Sequence, residues 1–144
     1  MGVVNHVGQV VTDLEQSRRF YEDVLGFEWW RDFAADDQLT APLLQLPAPV
    51  GLEAVYLRMD GFVLELCHYT AVELNPPQTR VMNDRGLTHL SVSVDDIPAT
   101  MEKAVEFGGS VVEGSDVGLA VFLRDPDGQL IELLTMDYVA RLPD

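Results

Sequence analysis

Between Val3 and Val11 apolar and β-branched side chains recur at period two, which predicts a first strand with His6, Gly8 and Val10 on one face and Val7, Gln9 and Val11 on the other. The period then changes. Leu14, Ser17, Phe20, Tyr21, Val24 and Leu25 recur at helical spacing behind Asp13, with Gln16 three positions on as a capping partner and Gly26 as a stop, so a helix is expected at about 14–25. Phe27 to Phe33 returns to strand character, and strict alternation puts Trp29 and Trp30 on opposite faces with one of them inward. Residues 34–51 carry Pro42, Pro47, Pro49 and Gly51 around Leu43, Leu44 and Leu46, a segment expected as a long loop or lid. Two further strands, Leu52 to Met59 and Phe62 to His68, flank the hairpin signal Asp60-Gly61. The order is β-α-β-β-β.

That order then repeats. His6 with Asp13-Leu14 and Gly26 has the same spacing as His89 with Asp96-Ile97 and Gly109, and Asp60-Gly61 through Glu65-Leu66 matches Asp127-Gly128 through Glu132-Leu133. In the second copy His89, Ser91 and Ser93 share a strand face, Asp96 caps a helix with Pro98 in its first turn, and Gly108-Gly109 ends it. Strands follow at 110–113, 119–124 and 129–135, the last two joined by Asp125-Pro126-Asp127-Gly128. The expected architecture is α+β: two fused βαβββ modules, about 3–69 and 87–136, a connector at about 70–86 and a short tail at 137–144, in one domain.

Composition narrows the partners. A net charge of −15, with Lys103 the single lysine, repels phosphate backbones and anionic membrane surfaces, so neither nucleic acid nor membrane is expected. No apolar run reaches bilayer length and no basic, apolar leader precedes His6, which reads as cytoplasmic. The lone Cys67 excludes an internal disulfide framework and a cysteine-based zinc cage.

The repeat also carries the candidate chemistry. Alternation puts Glu65 in phase with Val63 and Cys67, and Glu132 in phase with Leu130 and Leu134, so each carboxylate stands among apolar or nearly apolar neighbours and needs a cation or a hydrogen-bonding partner. An arginine could serve, or both glutamates could lie on wet edges with the histidines packed in the core. Two copies of a unit supplying one His and one Glu could instead surround one metal by pseudo-two-fold symmetry, with His6, Glu65, His89 and Glu132 as ligands. Two nitrogens and two carboxylates suit one divalent ion among Zn, Ni, Co, Mn and Fe(II). Cys67 reads as an inert small hydrophobe, and His68, of opposite phase to Glu65, is left out of the site.

His6, Phe20-Tyr21 through Leu25-Gly26-Phe27, Leu64-Glu65-Leu66, Leu87-Thr88-His89, and Asp125-Pro126-Asp127-Gly128 with Ile131-Glu132-Leu133 together resemble the vicinal oxygen chelate superfamily of glyoxalase I, bleomycin resistance proteins and extradiol dioxygenases. The resemblance implies eight strands in a cupped mixed sheet around a metal-binding cavity, with ligands on the first and fourth strands of each module. It implies a metal-dependent lyase or isomerase resembling glyoxalase I, moving a proton on a small substrate with adjacent oxygens through a metal-bound enediolate, with Glu65 and Glu132 as the catalytic carboxylates. The alternatives are an Fe(II) ring-cleaving dioxygenase on His6, His89 and Glu132, and a binding protein that sequesters an aromatic compound. Four protein ligands leave two open octahedral positions where a dioxygenase needs three, so Glu65 speaks against the first alternative.

Glutathione-dependent members carry a basic residue where this chain has Val10 and an amide near Tyr69, and no lysine cluster offers itself to coenzyme A. Arg58, Arg80, Arg85 and Arg124 are the candidates for an anionic group, with Arg80 and Arg85 preferred, and Trp29, Trp30, Phe33 and Tyr56 are candidates to line an aromatic pocket. A homodimer is expected, because a cupped sheet of this size leaves an edge and an apolar face to cover, and the modules could pair within a chain or between chains.

Overall fold

The computed structural model describes residues 1–142. The chain divides into two compact units, one of residues 1–22 and 26–76, the other of 23–25 and 77 onward. Each holds one four-stranded mixed sheet, so the eight strands form two sheets of four.

In the first unit β1 (Val7–Val10) runs parallel to β4 (Phe62–Tyr69), which pairs antiparallel with β3 (Leu52–Met59), which pairs antiparallel with β2 (Glu28–Ala34) at the edge. The β3–β4 hairpin forms as the pattern predicts. Asp60 and Gly61 take φ of 47° and 79°, the left-handed pair of a two-residue turn whose twist matches the strands. The first strand is shorter than expected. Its pairing begins at Val7 opposite Leu64, so Val3 and Val4 find no neighbour and stay exposed, and His6 stands just before the strand.

Helix α1 (Leu14–Arg19) continues as a π-helical turn, Phe20–Val24, to the positive-φ Gly26. The Asp13 carboxylate accepts from the Gln16 N–H, satisfying one of the first-turn donors. A helix this short is marginal alone. Phe20 and Tyr21 are wholly buried, as are Leu57 and Leu66. Burial stabilises by about 1.5–3 kcal/mol per large side chain. The helix touches β3 and β4, on the face that carries Val55, Leu57, Leu64 and Leu66. The opposite face holds Tyr56, Glu65 and Cys67.

The expected 34–51 loop contains a helix, α2 (Asp37–Leu44), with Pro42 inside it. Proline inside a helix removes one N–H, a loss that other contacts of the segment offset. Asp36 caps the helix by accepting from the Gln38 N–H, and the Asp37 carboxylate holds the N–H groups of Val50 and Gly51 at 3.0 Å each. Ala41 then packs into a cluster with Val50, Leu52, Ala54, Tyr56 and Cys67. Neither tryptophan is inward. β2 is an edge strand with every residue exposed, and a bulge between Trp29 and Arg31 breaks the alternation that the expectation relied on.

The second unit repeats the plan. β5 (His89–Val94) runs parallel to β8 (Leu130–Thr135), with β7 (Ala120–Arg124) and the two-residue β6 (Ser110–Val111) completing the sheet. Helix α3 (Ile97–Glu106), capped by Asp96, touches β7 and β8, while Val121, Leu123, Ile131 and Leu133 are buried. Asp125 is buried and accepts from the N–H groups of Asp127 and Gln129, which accounts for the Asp-Pro-Asp-Gly sequence as a turn. Residues 136–141 form a 3-10 helix, and residues 143–144 of the expected tail lie outside the described residues. Among the described residues no helix is long and apolar enough to cross a membrane.

Candidate metal centre

In the first unit the β1–β4 register sets Gly8 opposite Glu65. His6, two residues earlier and so in the same phase, reaches Glu65, with Nε2 3.0 Å from Oε2. The Glu65 side chain is 13% exposed, so its charge is poorly solvated and its partners matter. The second partner is Tyr56, directly across the β3–β4 ladder, whose hydroxyl donates to Oε1 at 2.6 Å. Its ring stands edge-on to the His6 imidazole with centroids 5.6 Å apart.

The second unit builds the same pair. His89 Nε2 lies 3.6 Å from Glu132 Oε2, and the Ser91 hydroxyl, on the strand position equivalent to Gly8, donates to the same oxygen at 2.8 Å. Phe122, opposite Glu132 in the register, meets the His89 ring edge-on at 5.4 Å. Each unit therefore holds a His–Glu pair against an aromatic ring. Among the described residues no group of three or more His, Cys, Asp or Glu side chains comes together, so what each unit offers is a pair.

The pairs have the chemistry of metal ligands. Asn5 Oδ1 lies 2.6 Å from His6 Nδ1, a contact that anchors the far side of the ring and turns Nε2 toward Glu65. Thr88 Oγ1 stands 2.9 Å from His89 Nδ1. Anchoring the far imidazole nitrogen is how ligating histidines are oriented. Nitrogen and carboxylate oxygen bound at about 2.1 Å and at right angles would lie about 3.0 Å apart, or about 3.4 Å at the tetrahedral angle. The observed separations of 3.0 and 3.6 Å sit close to these values.

Around Glu65 other acids are held neutral. Burial and then the hydrogen bond to the Glu65 carboxylate push the Tyr56 hydroxyl up to about 12, so Tyr56 remains a donor. Burial, followed by the Glu65 charge, pushes the Cys67 thiol up to about 12, which fits an inert cysteine rather than a nucleophile. Tyr69 is raised as well, chiefly by burial. His68 Nδ1 contacts the Val11 carbonyl at 3.2 Å, away from the pair.

Three of the arginines read as candidate anion binders are otherwise occupied. Arg58 pairs with Glu28, Arg80 donates to the Leu87 carbonyl, and Arg124 donates to the Gly128 and Arg80 carbonyls. The connector arginine Arg80 thus holds its own loop. Trp30, Phe33 and Tyr56 do gather, with ring centroids 6.1 and 6.4 Å from Tyr56, whereas Trp29 donates to Asp32 and stacks with Arg18 of α1. Reasoning from sequence missed Tyr56 as the donor to Glu65, Ser91 as the donor to Glu132, and Arg31. Tyr56 was recoverable: a two-residue turn at Asp60-Gly61 fixes the register that sets it opposite Glu65.

The family model described as Glyoxalase/Bleomycin resistance protein/Dioxygenase superfamily matches residues 3–133. The chain belongs to this superfamily. Among curated members it is similar to a lactoylglutathione lyase of Pseudomonas putida, 31% identical over 92% of this chain and 84% of that protein. The fold of this superfamily member is similar to that of a glyoxalase family protein from Bacillus cereus, at a TM-score of 0.78 and 17% identity over 92% of each chain. It is also similar to the trypanothione-dependent glyoxalase I of Leishmania major, at a TM-score of 0.66 and 24% identity over 94% of this chain and 88% of that one.

Proposed function

We propose that this superfamily member is a divalent-metal-dependent lyase or isomerase of glyoxalase type, acting on a small molecule with oxygens on neighbouring carbons. The observation that carries the reading is the duplicated pair, His6 with Glu65 and His89 with Glu132, each at repeat-equivalent positions and each with its own hydroxyl donor. The likeness to a lactoylglutathione lyase supports it. His6, Glu65, His89 and Glu132 would hold one metal ion, the two pairs coming from one chain or from two. A bound divalent ion supplies Lewis acidity, which makes the hydrogen beside a coordinated oxygen easier to remove.

The remaining work falls to the chain's own groups. Glu65 accepts the proton from the substrate carbon through one carboxylate oxygen and returns it to the neighbouring carbon, while Tyr56 keeps its hydroxyl proton and steadies the other oxygen. Glu132, steadied by Ser91, is the second carboxylate of the shuttle. Trp30 and Phe33 stand edge-on to Tyr56 and offer the substrate an aromatic, half-exposed wall beside Glu65.

The test pairs metal analysis with isotope exchange. His89→Ala should lower metal stoichiometry sharply with the fold retained. Glu65→Gln should keep most of the metal yet slow proton exchange at the substrate carbon by ~10²–10⁴-fold, the usual worth of a positioned base. Full activity in Glu65→Gln, oxygen uptake on a catechol, or unchanged metal content in both His6→Ala and His89→Ala would overturn the proposal.

A further inference from the structure

One row of cross-strand neighbours crosses the first unit: Arg31 on β2 faces Tyr56 on β3, which faces Glu65 on β4, which faces Gly8 on β1. The equivalent row of the second unit runs through Phe122, Glu132 and Ser91, with Val112 beside Phe122 through the backbone bond from the Val112 N–H to the Phe122 carbonyl. The second row is an internal control. It holds its glutamate, histidine and aromatic ring with valine where the first row has arginine, so the scaffold of the half-site does not need a cation there.

Arg31 is nonetheless held in place. The bulge between Trp29 and Arg31 lets neighbouring side chains lean the same way, and the Arg31 guanidinium lies 4.7 Å from the Trp30 ring centroid and 4.5 Å from that of Tyr56. Stacking fixes the plane of the guanidinium while leaving its N–H edge available. Among the described residues no carboxylate forms an ion pair with it. The next acid in sequence, Asp32, accepts from Trp29. Arg31 is exposed, and in a chain of net charge −15 an anion approaching Glu65 needs a local cation.

We infer that Arg31, clamped between Trp30 and Tyr56, is the anchor for an anionic group of the substrate, a carboxylate or its like, carried one tyrosine ring away from the carbon that faces Glu65. A carboxylate meets the guanidinium edge through two parallel N–H···O bonds, which orients as well as attracts. The role assigned to Glu65 rests on the proposed function, whereas the anion site itself does not.

Two measurements separate them. In metal-free protein carrying Trp29→Phe, which leaves Trp30 as the only tryptophan, fluorescence is titrated with succinate and with succinamide. Succinate should give a saturable change and succinamide little. Adding Arg31→Gln should weaken succinate binding roughly tenfold or more, and Arg31→Lys should recover part of it. Equal binding of the two ligands, or succinate binding unaffected by Arg31→Gln, overturns the inference. For turnover, hemithioacetals of a 2-oxoaldehyde with 3-mercaptopropionate and with 2-mercaptoethanol are compared. Arg31→Gln should raise KM for the anionic one alone and leave kcat near that of the wild type. If no hemithioacetal reacts, the proposed reaction fails while the succinate titration still decides the anchor.

Discussion

Replacing Tyr56 by Phe removes one atom from the candidate site. The hydroxyl donates to Glu65 Oε1 at 2.6 Å from a ring only 6% exposed, to a carboxylate whose side chain is 13% exposed. A hydrogen bond to a charged acceptor contributes about 1.5–3 kcal/mol, and burial keeps solvent screening small here. No packing loss need be added, because Phe122 occupies the equivalent place beside Glu132 without a hydroxyl. Glu65 keeps His6 as a partner and can shift toward it, so we take about 2 kcal/mol for metal-free protein. In a chain of this size that lowers Tm by about 4–8 °C. Thermal unfolding followed by circular dichroism checks the value, with Phe122→Leu as a control for aromatic packing alone. A Tm within about 1 °C of wild type would refute the idea that this hydrogen bond holds Glu65.

Alkaline pH should unfold the metal-free protein early. Tyr56 and Cys67 both sit near 12 in the fold, above ordinary values of 10.0 and 9.0. The fold therefore favours their neutral forms; their contribution is complete below pH 9 and is lost as pH rises through about 12, so urea midpoints should fall over that window and fall less in Cys67→Ala. Iodoacetamide should label Cys67 far more slowly at pH 8.5 than it labels free cysteine, and equal rates would contradict the buried, acid-shielded thiol. Asp37→Ala leaves the N–H groups of Val50 and Gly51 without their acceptor and should cost about 1–3 kcal/mol, read from urea denaturation. Light scattering should give twice the 16.0 kDa chain mass at micromolar concentration, and a monomer there would refute the expected homodimer.

Much of this was legible because strand alternation fixes which residues share a face and the chain states its pattern twice. The His6–Glu65 and His89–Glu132 pairs follow from strand phase plus the repeat, and the Asp60-Gly61 hairpin from turn chemistry alone. The failures share one origin, in that tertiary partners decided what local pattern left open. Pro42 is tolerated in α2 because Asp36, Asp37 and the Ala41 contacts hold the segment. Trp29 and Trp30 stay outside because β2 is an edge that bulges at Trp30, between Trp29 and Arg31. The same bulge brings Arg31 over Tyr56, which strict alternation along β2 does not anticipate.

The parallel pairing of β1 with β4 has a consequence for the order in which the site is made. Tyr56 and Glu65 are nine residues apart on one hairpin and can meet as soon as the Asp60-Gly61 turn closes, whereas His6 is separated from Glu65 by almost the whole of its unit. Local contacts form early and distant ones late, since the chain must first give up the entropy of the intervening loop. The carboxylate should thus acquire its hydroxyl before its imidazole in every folding event. Substitutions in the β3–β4 hairpin should then slow folding, while changes at His6 should act mainly on unfolding. Rapid mixing of the refolding chain should register that split.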